Sequence, residues 1–526
     1  MPRPKAVSTL THAYELFGVG TYDEALQIAS ATARARGPEA ADAALLGIRI
    51  LLRTGDAAAA RAEAAALLRR EPRNETAAVL LGIATFRAGD APDGLARLEA
   101  VHRESKARAV RAEAAYHLAW AAYADRRLDD ADRWLSASLD DAADLQAARG
   151  FALSAWLLEA RGEFAGAVRL FRLALSTVRA SAERDDFLVG SILHPLAVFA
   201  AELPDPQLAV FVRAQDAKMV WPASAAEHRF QVAVHLALCT LNDGDADGAL
   251  DGLERAGALA HHATLRAEAF IETADIFRLL GEPVAARRSM LRAADLFRGA
   301  PSPARIEDQI AFLDVACVAA RIDPPLASEW LTRYSGMRKD DDGRFSLTAD
   351  RRVHALELQA RGTVQAVLGD RAQGIALLRD ARERWDALQY RRRAAYACAD
   401  LVAFGETADG RRIGPLLDAA PHHPLAVAFA RTPRANASAS SAPPAGENPW
   451  DLLPPSERRV LEALCDGISV KQMAASWNRS EFTIRNHLKR LFAKFEVTRS
   501  PALVARALAL RPLVMADPPR SSRKRS

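Results

Sequence analysis

The sequence has no CxxC pair, no run of about 18 uncharged apolar residues and almost no β-branched alternation over residues 1–431. Each absence excludes a class. The four cysteines, Cys239, Cys317, Cys398 and Cys465, lie far apart, so buried apolar thiols are expected rather than zinc ligands or disulfides. The pairs His261–His262 and His422–His423 have no further ligands at metal spacing, and no metal or cofactor is expected. Without a long apolar run there is no membrane span. The basic start Met1-Pro2-Arg3-Pro4-Lys5 is followed by no apolar core, so the expectation is a chain without a signal peptide, in the cytoplasm. No GxxxxGK[ST] loop is present to cradle phosphates, no strand–helix alternation with clustered aspartates marks a phospho-acceptor module, and no Ser, His and acid motifs converge as in hydrolases. An enzyme is not expected.

What is present is helical. Alanine, leucine and arginine dominate, and apolar residues recur three or four apart, which predicts an all-α fold. The chain also repeats a turn. Glycine followed by a short polar stretch occurs at Gly20, Gly55, Gly89, Gly162, Gly244, Gly281 and Gly369, with Arg126 in the equivalent place. Five residues after each turn sits a small residue: Ala25, Ala60, Gly94, Ala131, Ala167, Ala249, Ala286 and Gly374. Seven residues before it sits another, from Ala13 and Gly82 to Ala274 and Gly362, with Ile48 the one exception.

Close packing of two antiparallel helices explains the pattern. Glycine takes a left-handed turn without a Cβ clash, and small residues on both facing helices let the backbones approach. Larger residues nine and twelve positions after the turn continue the buried face, as in Phe171 and Ala174, Leu253 and Ala256, or Leu378 and Ala381. The first spacings, 35 residues (20 to 55) and 34 (55 to 89), fit one helix-turn-helix unit. Later units stretch to about 41 if weak turns near Leu203-Pro204-Asp205-Pro206 and Asp323-Pro324-Pro325 are counted. The array resembles the tetratricopeptide (TPR) family, best at Gly162-Glu163-Phe164 with Ala155 and Ala167, although the first-helix aromatic is often missing. About ten hairpins would stack into a TPR-like α-solenoid whose concave face holds an unknown protein or small-molecule ligand.

The remainder divides by composition. Residues 432–449, rich in Ala, Ser and Pro, read as a flexible linker, residues 450–512 as a small helical domain and residues 513–526 as a basic disordered tail. Residues 451–526 hold 15 Lys+Arg against 7 Asp+Glu, a net of +8; with +4 for the whole chain, residues 1–450 carry −4. A basic end on a mildly acidic body suits a polyanion at that end.

Four short helices are expected between Pro455 and Leu510. The second opens with the capping-box spacing Ser469-Val470-Lys471-Gln472. After Asn478-Arg479-Ser480 a third runs from Glu481 to about Phe495, burying Ile484, Leu488, Leu491 and Phe495. Two short helices around a tight turn, the second rich in basic and amide side chains, form a helix-turn-helix. Arg485, Asn486 and Lys489 are the candidates for base edges. Thr483, His487, Arg490 and Lys494 are the candidates for phosphates.

Residues 453–508 resemble the LuxR-type DNA-binding domain, through Glu457, Val460-Leu461, Gly467, Ser469, Lys471, Ala474, Ser480, Thr483-Ile484, His487-Leu488 and Val497-Thr498. The resemblance implies double-stranded DNA as partner, base contacts at Arg485, Asn486 and Lys489, and structural roles for Glu457 and Gly467. It also implies homodimerisation on DNA through the fourth helix, at Leu503, Val504 and Ala507. Trp477, Phe482 and Glu496 depart from the family pattern, Trp477 as a core filler. The function expected is a sequence-specific transcriptional regulator whose repeats bind a signal. The alternative is an interaction scaffold with a degenerate, non-specific DNA-binding domain.

Overall fold

The computed structural model describes residues 9–35, 37–142, 144–298, 306–339, 351–430, 453–465, 468, 470–477, 481–495 and 503. Among them are 26 α-helices, one short 3-10 turn at Ala223–Ala225 and no strand. The chain divides into two compact units, Met1–Thr432 and Pro433–Ser526. The linker expected at 432–449 and the tail at 513–526 lie outside the described residues. Among the described residues no helix is long and apolar enough to cross a membrane.

The first unit is a run of antiparallel helix pairs, from Thr9–Gly18 with Tyr22–Arg34 to Arg391–Ala403 with Thr407–Leu416, followed by Pro424–Ala430. There are eleven such hairpins among the described residues, one more than the repeats suggest. Gly20, Gly55, Gly89, Gly162, Gly244 and Gly281 turn the chain with φ between +78° and +99°, and Arg126 takes the same left-handed region at φ +60°. At three of these turns the aspartate after the glycine caps the next helix. Asp56, Asp90 and Asp245 accept hydrogen bonds from the backbone N–H groups of Ala59, Asp93 and Gly248, each cap contributing about 1 kcal/mol.

Gly369 is a correction. It has no positive φ. Its N–H still donates to the Gln365 carbonyl at 3.0 Å, and Asp370 starts the next helix by accepting from Ala372 and Gln373. The left-handed glycine that the repeat pattern passes over is Gly405, at φ +95°, which joins the eleventh pair. Its second helix is only ten residues long and holds Pro415, so too little follows the turn to register as a repeat.

Small residues beside the turns are required by contact. A Cβ on Gly94 would lie 2.5 Å from the Phe86 nitrogen, and one on Gly374 would lie 2.3 Å from the Ala366 nitrogen. Phe171, Ala174, Leu253, Ala256, Leu378 and Ala381 are all buried on the second helices. Cys239, Cys317 and Cys398 are buried free thiols, pushed up to about 12 by burial. The Cys465 side chain lies outside the described residues.

The array meets itself after five hairpins. Glu202, at the end of Asp186–Glu202, pairs with Arg392 in Arg391–Ala403 at 2.7 Å, 190 residues away. Arg352 and Tyr390 both donate to Glu159, at 2.9 and 3.2 Å.

Buried titrating groups fix how the array responds to pH. Burial pushes Glu268 up to about 8 and Glu272 up to about 7, and pulls His228 and His235 down to about 4 and His423 to about 3. Below pH 6.5 the unfolded chain binds more protons on these histidines than the folded one, so stability rises with pH there. The folded chain binds more protons on the two glutamates, which opposes the histidines from about pH 4.5 and outweighs them above about pH 6.5 as the unfolded histidines lose their protons, so stability falls towards pH 8. Thermal unfolding from pH 5 to 9 is expected to give a maximum near pH 6.5, with Glu268→Gln flattening the alkaline limb. A midpoint that rises steadily to pH 9 would exclude neutral buried glutamates.

Candidate nucleic-acid interface and the interior of the array

The basic end is built on three described helices, Pro455–Cys465, Val470–Ser476 and Glu481–Lys494. Ile484, Leu488 and Leu491 of the third share one buried face with Phe495 just beyond its end. They pack in a single core with Val460 and Leu461 of the first helix and Met473 and Ala474 of the second. The helical period then leaves Arg485 and Lys489, four apart, on an exposed face. Arg485 is 69% exposed and donates to Glu481 at 2.9 Å. Thr483 and Asn486 lie on the same helix, but their side chains are outside the described residues, as is that of Phe482. His487 is half-buried, and its Nδ1 has no hydrogen-bond partner among the described residues.

Two of the basic side chains converge on one acid. Glu457, 3% exposed, accepts from Lys494 Nζ at 2.9 Å and lies 3.9 Å from Arg490. This pair ties the start of the first helix to the end of the third. Arg490 itself is 70% exposed. Trp477 packs partly buried against the core, and the Arg459 guanidinium lies 4.5 Å from its ring centre. Leu503, expected on the pairing face, is fully buried in the domain's own core. Val504, Ala507, Gly467, Ser469, Ser480 and Glu496 lie outside the described residues.

The repeat array has an interior of two kinds, and both are lined by the first helices of the hairpins. In the later half the interior is closed by charge. Glu202 accepts from Arg392 at 2.7 Å and Arg393 at 3.2 Å, and Arg321 holds Asp400 through two bonds of 2.7 Å. Gln359 donates to Asp400 at 2.7 Å and accepts from the Trp385 indole at 2.9 Å. Burial pushes Glu202 up, but Arg392 and Arg393 outweigh it and hold the carboxyl at about 2. Only about 20 Å³ remains open there.

In the earlier half the interior stays open. A cavity of about 440 Å³ is surrounded by seven first helices, from Thr9–Gly18 to Ala226–Asn242. Its walls mix aromatic residues such as Tyr116, Trp120 and Trp156 with Arg49, Arg53, Arg87 and Arg149. Sequence reading placed a ligand somewhere on the array without naming any of these residues. The available signal was apolar residues around the whole circumference of the first helices, interrupted by arginines.

Residues 451–507 match the family described as bacterial regulatory proteins, luxR family. No curated protein matches the chain. Solved structures similar to it include a Rap protein complexed with competence and sporulation factor, at 13% identity and TM-score 0.39, covering 70% of this chain and 98% of that one. They also include the apo form of RapI, at 9% and 0.36, covering 74% and 97%. A third is the apo quorum sensor NprR from B. thuringiensis, at 11% and 0.39, covering 65% and 97%. Residues 451–507 are thus a helix-turn-helix domain of the luxR family of bacterial regulatory proteins, carried on the same chain as an all-helical repeat array.

Proposed function

We propose that the protein is a sequence-specific, DNA-binding transcriptional regulator of the cytoplasm whose repeat array binds a protein or small-molecule signal. The observation that carries the reading is the exposed pair Arg485 and Lys489 on the third helix of a luxR-family domain, opposite its buried stripe. The helix enters the major groove with Arg485, Asn486 and Lys489 at base edges. Thr483, His487, Arg490 and Lys494 face the phosphates, Lys494 with the donors that Glu457 leaves over. The exposed pair of Arg485 with Glu481 is worth about 0.3–0.5 kcal/mol, less than the about 1–3 kcal/mol of a bidentate guanine contact, so it opens on DNA. Two copies pair across a two-fold site through the segment of Val504 and Ala507, with Leu503 holding that segment to the domain's own core.

Selection from random duplex DNA by the full-length protein, at near-physiological salt, is expected to enrich one motif. No motif, with weak and steeply salt-dependent binding throughout, would replace this reading by that of a scaffold with a non-specific DNA-binding end. Light scattering on the selected duplex checks the pairing, and one chain per duplex would overturn it.

A further inference from the structure

The open interior carries more positive charge than its own acids neutralise. Four arginines line it, and two carboxylates pair with three of them. Arg49 pairs with Glu113 at 3.0 Å, and Asp185 is shared by Arg53 at 3.1 Å and Arg149 at 3.3 Å. Arg87 has no carboxylate partner among the described residues. Its one hydrogen bond there goes to the Leu52 carbonyl at 2.9 Å. The neighbouring His117 adds no further positive charge, since burial and then Arg87, Arg149 and Arg49 hold it neutral, well below the usual histidine range.

Most of the rest of the wall is apolar, with Tyr116, Ser191 and His228 the polar exceptions. Leu80, Leu153 and Trp156 line the same space as Arg87, and Trp120 stands 38% exposed on it. A volume of about 440 Å³ is far beyond a packing defect and falls within the range of small-molecule sites. An inorganic ion would answer Arg87 and leave these walls wet. A neutral apolar ligand would cover the walls and strip water from an unpaired guanidinium, which is costly. One ligand chemistry satisfies both.

We propose that this cavity is the effector site of the array, and that it takes a small organic anion, a carboxylate or sulfonate on an aromatic or branched apolar body, anchored by Arg87. It rests on the reading that the array receives a signal, and adds where the signal binds and what it is made of. The anion takes the guanidinium of Arg87 while Trp120 and Trp156 cover the apolar body.

The test uses two fluorescent probes of one shape with the full-length protein: 8-anilinonaphthalene-1-sulfonate, and N-phenyl-1-naphthylamine, which lacks the sulfonate. One saturable site for the anion per chain is expected, at least about tenfold tighter than for the neutral probe, the worth of one hydrogen bond to a charged group. Arg87→Ala is expected to weaken the anion by at least about tenfold and leave the neutral probe within about twofold. Arg87→Lys is expected to keep most of the anion affinity, and Trp120→Ala to weaken both probes. Equal binding of the two probes by the unmodified protein overturns the proposal, whether or not Arg87→Ala folds. So does anion binding that a folded Arg87→Ala leaves intact. DNA selection on the same preparation separates the two readings. An enriched motif without Arg87-dependent binding sinks the effector site alone, and Arg87-dependent binding without a motif sinks the regulator alone.

Discussion

Glu202→Ala is expected to destabilise the repeat array by about 3–5 kcal/mol, the cost of leaving a buried charge without its partner. Urea unfolding followed by tryptophan fluorescence reads this, because Trp385 sits in the adjoining network through its bond to Gln359. The structure offers few substitutes for the lost carboxylate. Glu202 and Arg392 have side chains only 3% and 4% exposed, and water cannot replace the lost carboxylate. Arg393 retains Asp314. Among the described residues Arg392 retains Glu272, at 3.8 Å, and the ring of Tyr396, at 5.9 Å, and burial pushes the Glu272 carboxyl up to about 7, which makes it a weak counter-charge. Glu202→Gln keeps the shape and is expected to move the transition in the same direction by less. Glu202→Leu with Arg392→Met should recover most of the loss, because replacing both members of a buried pair removes the desolvation penalty along with the attraction. A shift below about 1 kcal/mol for Glu202→Ala would mean that the contact between hairpins five apart does not depend on this pair.

The elements that the sequence made readable are those set by neighbours within one hairpin. Gly162, Ala155 and Ala167 specify a turn and two close-packed helices within thirteen residues, and the structure has them as read, with Ala155 and Ala167 fully buried. The same holds for the buried stripe Ile484, Leu488 and Leu491, a 3.6-residue period that needs no distant information. What pairs across the array was not readable, because a helical repeat does not encode which hairpin it will meet one superhelical turn later. Arg53 and Arg87 show this. Each stands two residues before a turn glycine, yet Arg53 finds Asp185, 132 residues on, while Arg87 finds, among the described residues, only the carbonyl of Leu52. Likewise the phosphate candidate Lys494 and the helix-start acid Glu457 were both marked in the sequence for separate reasons, and their pairing across 37 residues needed the fold. Gly369 erred in the other direction. A turn can lead into a helix that starts on an aspartate cap without any left-handed residue, and spacing alone does not distinguish the two kinds of turn.

Arg485→Ala with Lys489→Ala is expected to lower affinity for the selected motif on the order of a hundredfold, from two base contacts worth about 1–3 kcal/mol each. Affinity for unrelated duplex should change far less, so the specificity ratio falls with the specific constant. Arg490→Ala makes the contrast, because a lost phosphate contact weakens all sequences alike and reduces the slope of log K against log salt by about 1. Arg490 is the better choice for that comparison than Lys494. It is 70% exposed and 3.9 Å from Glu457, whereas Lys494 is the closer partner of that buried carboxylate. Lys494→Ala would therefore destabilise the domain by about 1–3 kcal/mol and confuse a lost phosphate contact with a loosened fold. Titrations at several salt concentrations with folded variants separate these effects. If the double variant still enriches the original motif, the reading face lies elsewhere on Glu481–Lys494. Asn486 would then carry the recognition without Arg485 and Lys489, since an amide can hold an adenine edge without any contribution to the salt dependence.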